Sequence, residues 1–335
     1  MKKMRTAAAA ALSTALLVGL TACSGGTSAS PSSAPSSDAG GSDSKTYTIG
    51  VVQQMQHEAL DSATQGFQDA LKEKLGDQVN IQVENASGDS NNCNTIVGSF
   101  LSNGVDLIMA NGTTALQAAA SATEDVPILG TSITEYGVAL GIDNFDGVTG
   151  FNVSGTSDLA PLDEQAEMLH TLFPDAEKVG LLSCSAEPNS AYQVQTVRSY
   201  LEEMGYTCTD YTFSDSNDLA AVTESACASE DVIYIPTDNT AAQNAELIGN
   251  IAVASKTPII AGEEGICRGC GVATLTISYY DIGYKTGEMA YEILVNGADP
   301  AEMPIEYAPQ FTPKYNADIC AELGITPPEG YEAIS

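Results

Sequence analysis

The residues able to do chemistry gather in six short segments, each following an apolar run. They are Gln53-Gln54-Met55-Gln56-His57, Asn111-Gly112-Thr113-Thr114, Gly130-Thr131-Ser132, Ser183-Cys184-Ser185-Ala186-Glu187-Pro188-Asn189-Ser190, Pro236-Thr237-Asp238-Asn239 and Gly262-Glu263-Glu264. Amides, hydroxyls and carboxylates dominate, and no Lys or Arg falls in any of them. A Ser-His-Asp set and a Gly-rich phosphate loop are absent. This inventory suits noncovalent capture of a small molecule with a polar end, and argues against a phosphate or nucleotide site. Cys184, beside Ser185, could be drawn as a nucleophile with His57 as its base. That pair would have to meet within about 3 Å across distant segments, and no orienting third group is evident, so an enzyme is not expected.

Cys267-Arg268-Gly269-Cys270 is the closest cysteine pair. Zinc would need two further ligands, and His57 and His170 lie far away in sequence, so neither a metal nor a cofactor is expected. Gly262, Gly265, Gly269 and Gly271 around the pair predict a loop. A local disulfide and free thiols both remain open for it. The chain has eight cysteines, seven of them after Cys23; an odd number leaves at least one free or intermolecular.

The elements that must position these segments alternate. Short apolar or alternating runs at Thr46–Val52, Val79–Val83, Val105–Met109 and Val126–Leu129 predict strands. Between them, Ala59–Leu75, Asn94–Leu101 and Thr113–Ala122 carry helical spacing. The pattern then recurs. Strands are predicted at Lys178–Leu182, Thr207–Phe213, Val232–Ile235, Pro258–Ile260 and Val272–Ile277. Helices are predicted at Leu159–Leu172, Asn189–Met204, Leu219–Ala228, Thr240–Ala254 and Ile282–Val295. Two such sets predict an α/β protein of two doubly wound parallel-sheet lobes. Ligands of such sheets bind beyond the carboxyl ends of the strands, where the six polar segments fall.

The first residues read as a targeting signal. Lys2, Lys3 and Arg5 precede an apolar run from Ala7 to Leu20, too short to span a bilayer comfortably. Leu20-Thr21-Ala22-Cys23 resembles a bacterial lipobox, which implies cleavage before Cys23 and lipidation of its thiol. Residues 1–22 are thus expected to be a lipoprotein signal peptide. Residues 23–45, rich in Ser, Gly, Ala and Pro, are expected to be a flexible tether reaching roughly 25 Å. The net charge is −32, and removing residues 1–22 leaves nine basic against 44 acidic residues. Nucleic acid, whose phosphates demand Lys and Arg, is excluded as a partner. The acidity is spread along the chain and reads as a solubilising surface.

At these segments the chain resembles the ABC-transporter substrate-binding proteins of the tryptophan/tyrosine type, with the type I periplasmic-binding-protein fold. The resemblance covers about 46–325. It rests on HEALD (57–61), NGTTA (111–115), GVTGFNVS (147–154), SAEPNS (185–190), PTDN (236–239), GEEG (262–265), SYYDIGYKTGEMAYEIL (278–294) and MPIE (303–306). Glu58 and Glu135-Tyr136 depart from the family's usual Pro and Asp-Pro. The resemblance implies two lobes joined by a three-crossover hinge, the first at 46–153 plus 277–298 and the second at 154–276 plus 299–335. It implies an extracytoplasmic lipoprotein, expected as a monomer, that captures an aromatic amino acid between its lobes. The protein would hand the ligand to an ABC permease and ATPase. The alternatives are a purine nucleoside or other solute as ligand, or a receptor that signals without transport.

Within that cleft the residues divide by chemistry. Thr113 and Thr114 open a helix and could meet a carboxylate or simply cap it. Ser185, Asn189 and Ser190 offer further hydroxyl and amide groups. Asp238 is the first choice for an ammonium, since a buried carboxylate needs a partner; its other reading is the cap of the following helix. Glu187 could pair with an ammonium or cap a helix, and Asp281 could be a second acid or a hinge-side cap. Gln54, Met55, His57, Tyr136 and Phe151 are candidate walls.

Overall fold

The computed structural model describes residues 45–334. The expected signal segment, Cys23 and the tether up to residue 44 lie outside the described residues. The first lobe runs through β1 (Tyr47–Gln53), α1 (Glu58–Leu75), β2 (Val79–Asn85), α2 (Ser90–Ser102), β3 (Leu107–Asn111), α3 (Thr113–Ala122), β4 (Ile128–Ile133), α4 (Tyr136–Leu140) and β5 (Val153–Ser157). The second begins with α5 (Leu162–Leu172), β6 (Lys178–Cys184), α6 (Pro188–Glu203), β7 (Thr207–Phe213), α7 (Leu219–Ser229) and β8 (Val232–Ile235). It continues through α8 (Asn239–Gln243), α9 (Ala245–Ser255), β9 (Ile259–Ala261), α10 (Glu264–Cys270) and β10 (Ala273–Thr276). The chain then returns to the first lobe for α11 (Tyr279–Asn296) and β11 (Glu306–Tyr307). It ends on the second with β12 (Thr312–Tyr315), α12 (Ala317–Leu323) and β13 (Glu332–Ala333).

The first sheet has the order β2-β1-β3-β4-β5-β11, and the second β7-β6-β8-β9-β10-β12-β13. All pairings are parallel except β10 with β12. Helices cover both faces, so the central strands β3 and β8 are buried along their whole length and show no polar alternation. Ile49, Phe67, Leu71, Met109 and Met289 form the core on one face of the first sheet. Val97, Phe100, Ile108 and Leu116 form it on the other. Burying each of these large side chains contributes about 1.5–3 kcal/mol. The second lobe repeats this arrangement around Leu181, Tyr234 and Ile260 on one face and Ile233, Ile235 and Ile259 on the other.

Strand pairing moves two boundaries expected from sequence. β5 joins β4, and β11 joins β5, so the first lobe extends through 157 and takes in 306–307. The three crossovers therefore fall near 158–161, 277–278 and 308–311. Ile305 drives the second change, because its side chain is buried in the first lobe's core. β5 contains Gly155 at φ 145°, where a Cβ would lie 2.0 Å from the Gly130 carbonyl oxygen.

One helix pair fixes where the hinge meets the first lobe. A Cβ on Gly283 would sit 1.9 Å from the Ala63 carbonyl oxygen, and one on Gly66 2.1 Å from that of Tyr280. These glycines let α11 lie directly on α1. The start of α11, Tyr279, is thereby held at the carboxyl end of the first sheet. No helix among the described residues is long and apolar enough to cross a membrane.

Candidate functional site

The lobes touch across their carboxyl ends. His57 Nε2 lies 3.0 Å from Asn239 Oδ1. Asn239 turns its amide nitrogen to Glu187 at 2.7 Å, so its oxygen accepts and His57 donates from Nε2. Arg268 on α10 pairs with Glu58 of α1 at 2.6 Å, and Gln193 Nε2 reaches Thr134 Oγ1 at 3.5 Å. The lobes are thus closed on one another.

On the first-lobe wall, Gln54 is buried and its Oε1 accepts from the Thr114 backbone N–H at 2.9 Å. Gly112, at φ 102°, leaves room for that amide. Gln54 therefore caps α3 and occupies one donor expected to face a ligand. Thr113 is buried beside it. Ser132, just past the pairing of Asn111 with Thr131, holds the left-handed backbone at φ 55°. Such strain in a non-glycine residue concentrates at functional sites. Its Oγ is buried without a hydrogen-bond partner.

The second-lobe carboxylates are consumed locally. Asp238 Oδ1 accepts from Ala241 N–H at 2.8 Å, and Oδ2 accepts from Cys184 N–H at 2.7 Å and Ser190 Oγ at 2.8 Å. It caps α8 and pins the end of β6 to α6. Burial and the neighbouring Glu187 charge push its carboxyl up. Glu187 Oε2 accepts from Asn239 N–H at 3.0 Å, and Oε1 from Thr240 N–H at 2.9 Å and Thr240 Oγ1 at 2.8 Å. Both acids therefore staple helix starts, and the ammonium role expected of Asp238 and considered for Glu187 has no free oxygen behind it. Asn189 differs. Its Nδ2 donates to the Thr237 carbonyl at 2.9 Å, and its Oδ1 is buried with no partner.

Asp158, which the sequence reading passed over, sits at the first crossover directly after β5. Its Oδ2 accepts from Tyr279 Oη at 3.0 Å, while Oδ1 is buried with no partner. Burial pushes this carboxyl up to about 6, with the Tyr279 hydrogen bond pulling against it. Ser132 Oγ, Asp158 Oδ1 and Asn189 Oδ1 thus give one hydroxyl and two acceptors around the closed cleft. Gln193 Nε2, which faces the Asn189 carbonyl at 3.2 Å and Thr134 Oγ1 at 3.5 Å, ties Asn189 to the first lobe. Ser132 stood in a post-strand segment and was discoverable; Asp158 was obscured by the helix predicted from Leu159.

Other expected positions lie elsewhere. Tyr136 is a core residue, packed under Gly130 and Gly155, with its Oη donating to the Thr156 carbonyl at 3.1 Å. Phe151 precedes β5, at the opposite end of the sheet, on a surface groove with Gln117 and Leu140. Asp281 is exposed beside Lys285, Glu306 and Tyr307. Ser185 is exposed and its hydroxyl donates to the Phe213 carbonyl at 3.2 Å. A groove of about 650 Å³ runs along α9, α10 and α12 and includes His57 but none of Ser132, Asp158 and Asn189.

The catalytic pairing is not assembled. Cys184 Sγ donates to the Ser214 carbonyl at 3.7 Å, and burial pushes its thiol up to about 11. Burial lowers His57, against the pull of its Asn239 hydrogen bond. Cys267 and Cys270 lie on α10 rather than in the expected loop, are free, and are buried. Glu263 caps that helix through the N–H groups of Gly265 and Ile266, at 2.7 and 2.5 Å. Among the described residues, no group of three or more His, Cys, Asp or Glu could hold a metal ion.

A family model described as ABC transporter substrate binding protein matches residues 48–333. A tyrosine-binding protein of Clostridioides difficile is 36% identical over 264 residues, covering 78% of this chain and 76% of that protein. An ABC domain from Streptococcus pneumoniae, solved in complex with L-Trp, superposes with a TM-score of 0.82 at 32% identity, covering 87% of this chain and all of that one. A ligand-free, open substrate-binding protein with adhesive properties from Clostridium difficile gives 0.67 at 34% identity, covering 87% and 99%. A leucine-binding protein from Thermotoga maritima shares the fold, with a TM-score of 0.59 at 16% identity.

Proposed function

Because the chain belongs to the ABC transporter substrate-binding protein family, we propose that it captures a free aromatic amino acid between its lobes for delivery to an ABC importer. The observation that carries this reading is the set of buried groups without partners at the cleft: Ser132 Oγ, Asp158 Oδ1 and Asn189 Oδ1. A buried polar atom left unpaired costs roughly 1–3 kcal/mol, and three at one cleft mark a place where a ligand supplies the missing bonds. Asp158 and Asn189 accept from an ammonium. Ser132, with Thr113 at the start of α3, donates to a carboxylate. The aromatic side chain is inferred from the relatives named for tyrosine and solved with L-Trp.

The test is calorimetry with free tyrosine, tryptophan and phenylalanine against their N-acetylated and amidated forms. At least one free amino acid should bind at micromolar affinity or better, about −8 kcal/mol. Its blocked forms should bind at least about tenfold worse. The chain has no Trp, so all indole fluorescence comes from the ligand, and its change on adding protein would report tryptophan binding. Equal affinity for free and blocked forms would overturn the reading and favour a nucleoside or other solute.

The site belongs outside the cytoplasm, on a monomer held to the membrane by lipid on Cys23. No covalent chemistry is assigned to it. Mass spectrometry of the mature protein should find an N-terminal peptide that begins at Cys23 and carries a diacylglyceryl group. An unmodified terminus at another residue would remove the anchor.

A further inference from the structure

We propose that Tyr279 is the positioning residue of the ammonium site: it holds one oxygen of Asp158 so that the other meets the ligand. This rests on the amino-acid reading above. Asp158 is the first residue after β5, at the first crossover, and Tyr279 is the first residue of α11, just past the second. Their hydrogen bond, 3.0 Å from Tyr279 Oη to Asp158 Oδ2, therefore joins two of the three connections between lobes. Both side chains are buried. With Oδ2 held, rotation about the carboxylate is fixed, and Oδ1 is the oxygen left without a partner.

The charged surroundings make that orientation matter. The groups facing Asp158 are the hydroxyls of Thr134, Tyr136 and Tyr279, and the acid Glu263 faces Tyr279 from the second lobe. Among the described residues, no Lys, Arg or His forms an ion pair with Asp158. An arriving ammonium is then the first cation to meet this carboxylate. A hydroxyl donating to the ionised form favours it against burial. Tyr279 therefore keeps Asp158 charged at neutral pH as well as aimed.

The experiment compares wild type with Tyr279→Phe, which keeps the ring. Each is titrated with whichever of tyrosine or tryptophan it binds and with the propionate analogue that lacks the amino group. Wild type should prefer the amino acid strongly. The variant should lose about tenfold in affinity for the amino acid and little for the analogue. The acid limb of its binding profile should move to higher pH, a change that a packing defect would not produce. In an Asp158→Asn background the same substitution should leave both the discrimination and the limb where Asp158→Asn alone puts them. If wild type binds neither amino acid, the amino-acid reading fails. If wild type binds and discriminates, but Tyr279→Phe keeps the same discrimination and acid limb, the positioning role fails.

Discussion

Replacing Asp158 by Asn should weaken binding of the free aromatic amino acid by about 30- to 1000-fold, the effect of about 2–4 kcal/mol for losing one partner of a desolvated charge pair. Asn keeps the shape and one oxygen, so the loss reports charge rather than packing. The same change should not harm the protein without ligand. Burial raises this carboxyl to about 6, above the value of about 3.9 expected in an unfolded chain. The folded form therefore binds more protons than the unfolded form between those values, and stability falls as pH rises through that window. Asn removes this penalty. Above about pH 6 the variant should melt at or above the wild-type temperature, and the difference should shrink as pH falls towards 4. Glu263, pushed up to about 7 by burial, contributes a pH slope of the same sign in both proteins. Calorimetry for the ligand and thermal melting from pH 4 to 8 check the two halves. Undiminished affinity would remove Asp158 from the site.

The contrast between Asp158 and Asp238 shows how much of the site sequence could reveal. Both follow a strand and precede a helix, and both are buried. What separates them is which neighbouring N–H groups point at them, a property of three-dimensional approach. Cys184 N–H lies 54 residues away along the chain yet reaches Asp238 at 2.7 Å. The fold was far more legible: Val232–Ile235, buried and apolar throughout, and Thr207–Phe213, a mostly exposed edge strand rich in Thr and aromatic residues, are strands over their predicted ranges. Thr113–Ala122 is likewise a helix over its predicted range. Elements escaped where small residues carry the packing. β5 is Val-Ser-Gly-Thr-Ser and lacks a run of large apolar side chains. α10 contains two glycines, and its start depends on the Glu263 cap. Gly269 in that helix is required by closeness, since a Cβ there would lie 2.4 Å from that of Ala245. Glycines that read locally as a loop thus serve helix contact.

Asp238→Ala should act on stability, whereas pairing with an ammonium, the role first expected of Asp238, would make it act on binding. The carboxylate satisfies Ala241 N–H and Cys184 N–H through different oxygens, and Ser190 Oγ besides. Truncation strips the cap from α8, worth about 1 kcal/mol. It also leaves the buried Cys184 N–H without an acceptor, at about 1–3 kcal/mol. Relief of the repulsion from Glu187 offsets part of this. A net loss of about 2 kcal/mol lowers the melting temperature by about 4–8 °C for a protein of this size. Asn cannot restore the site, because its NH2 group must face one of the two N–H donors; Asp238→Asn should fall between wild type and Ala. In both variants the folded fraction should bind the amino acid within about threefold of wild type, because the polar atoms left open at the cleft belong to Ser132, Asp158 and Asn189. Thermal melting and calorimetry on the same samples separate the two roles. A variant that melts like wild type yet loses affinity more than about thirtyfold would return the ammonium to Asp238, and the hydrogen bonds that now occupy it would have to be exchanged on binding.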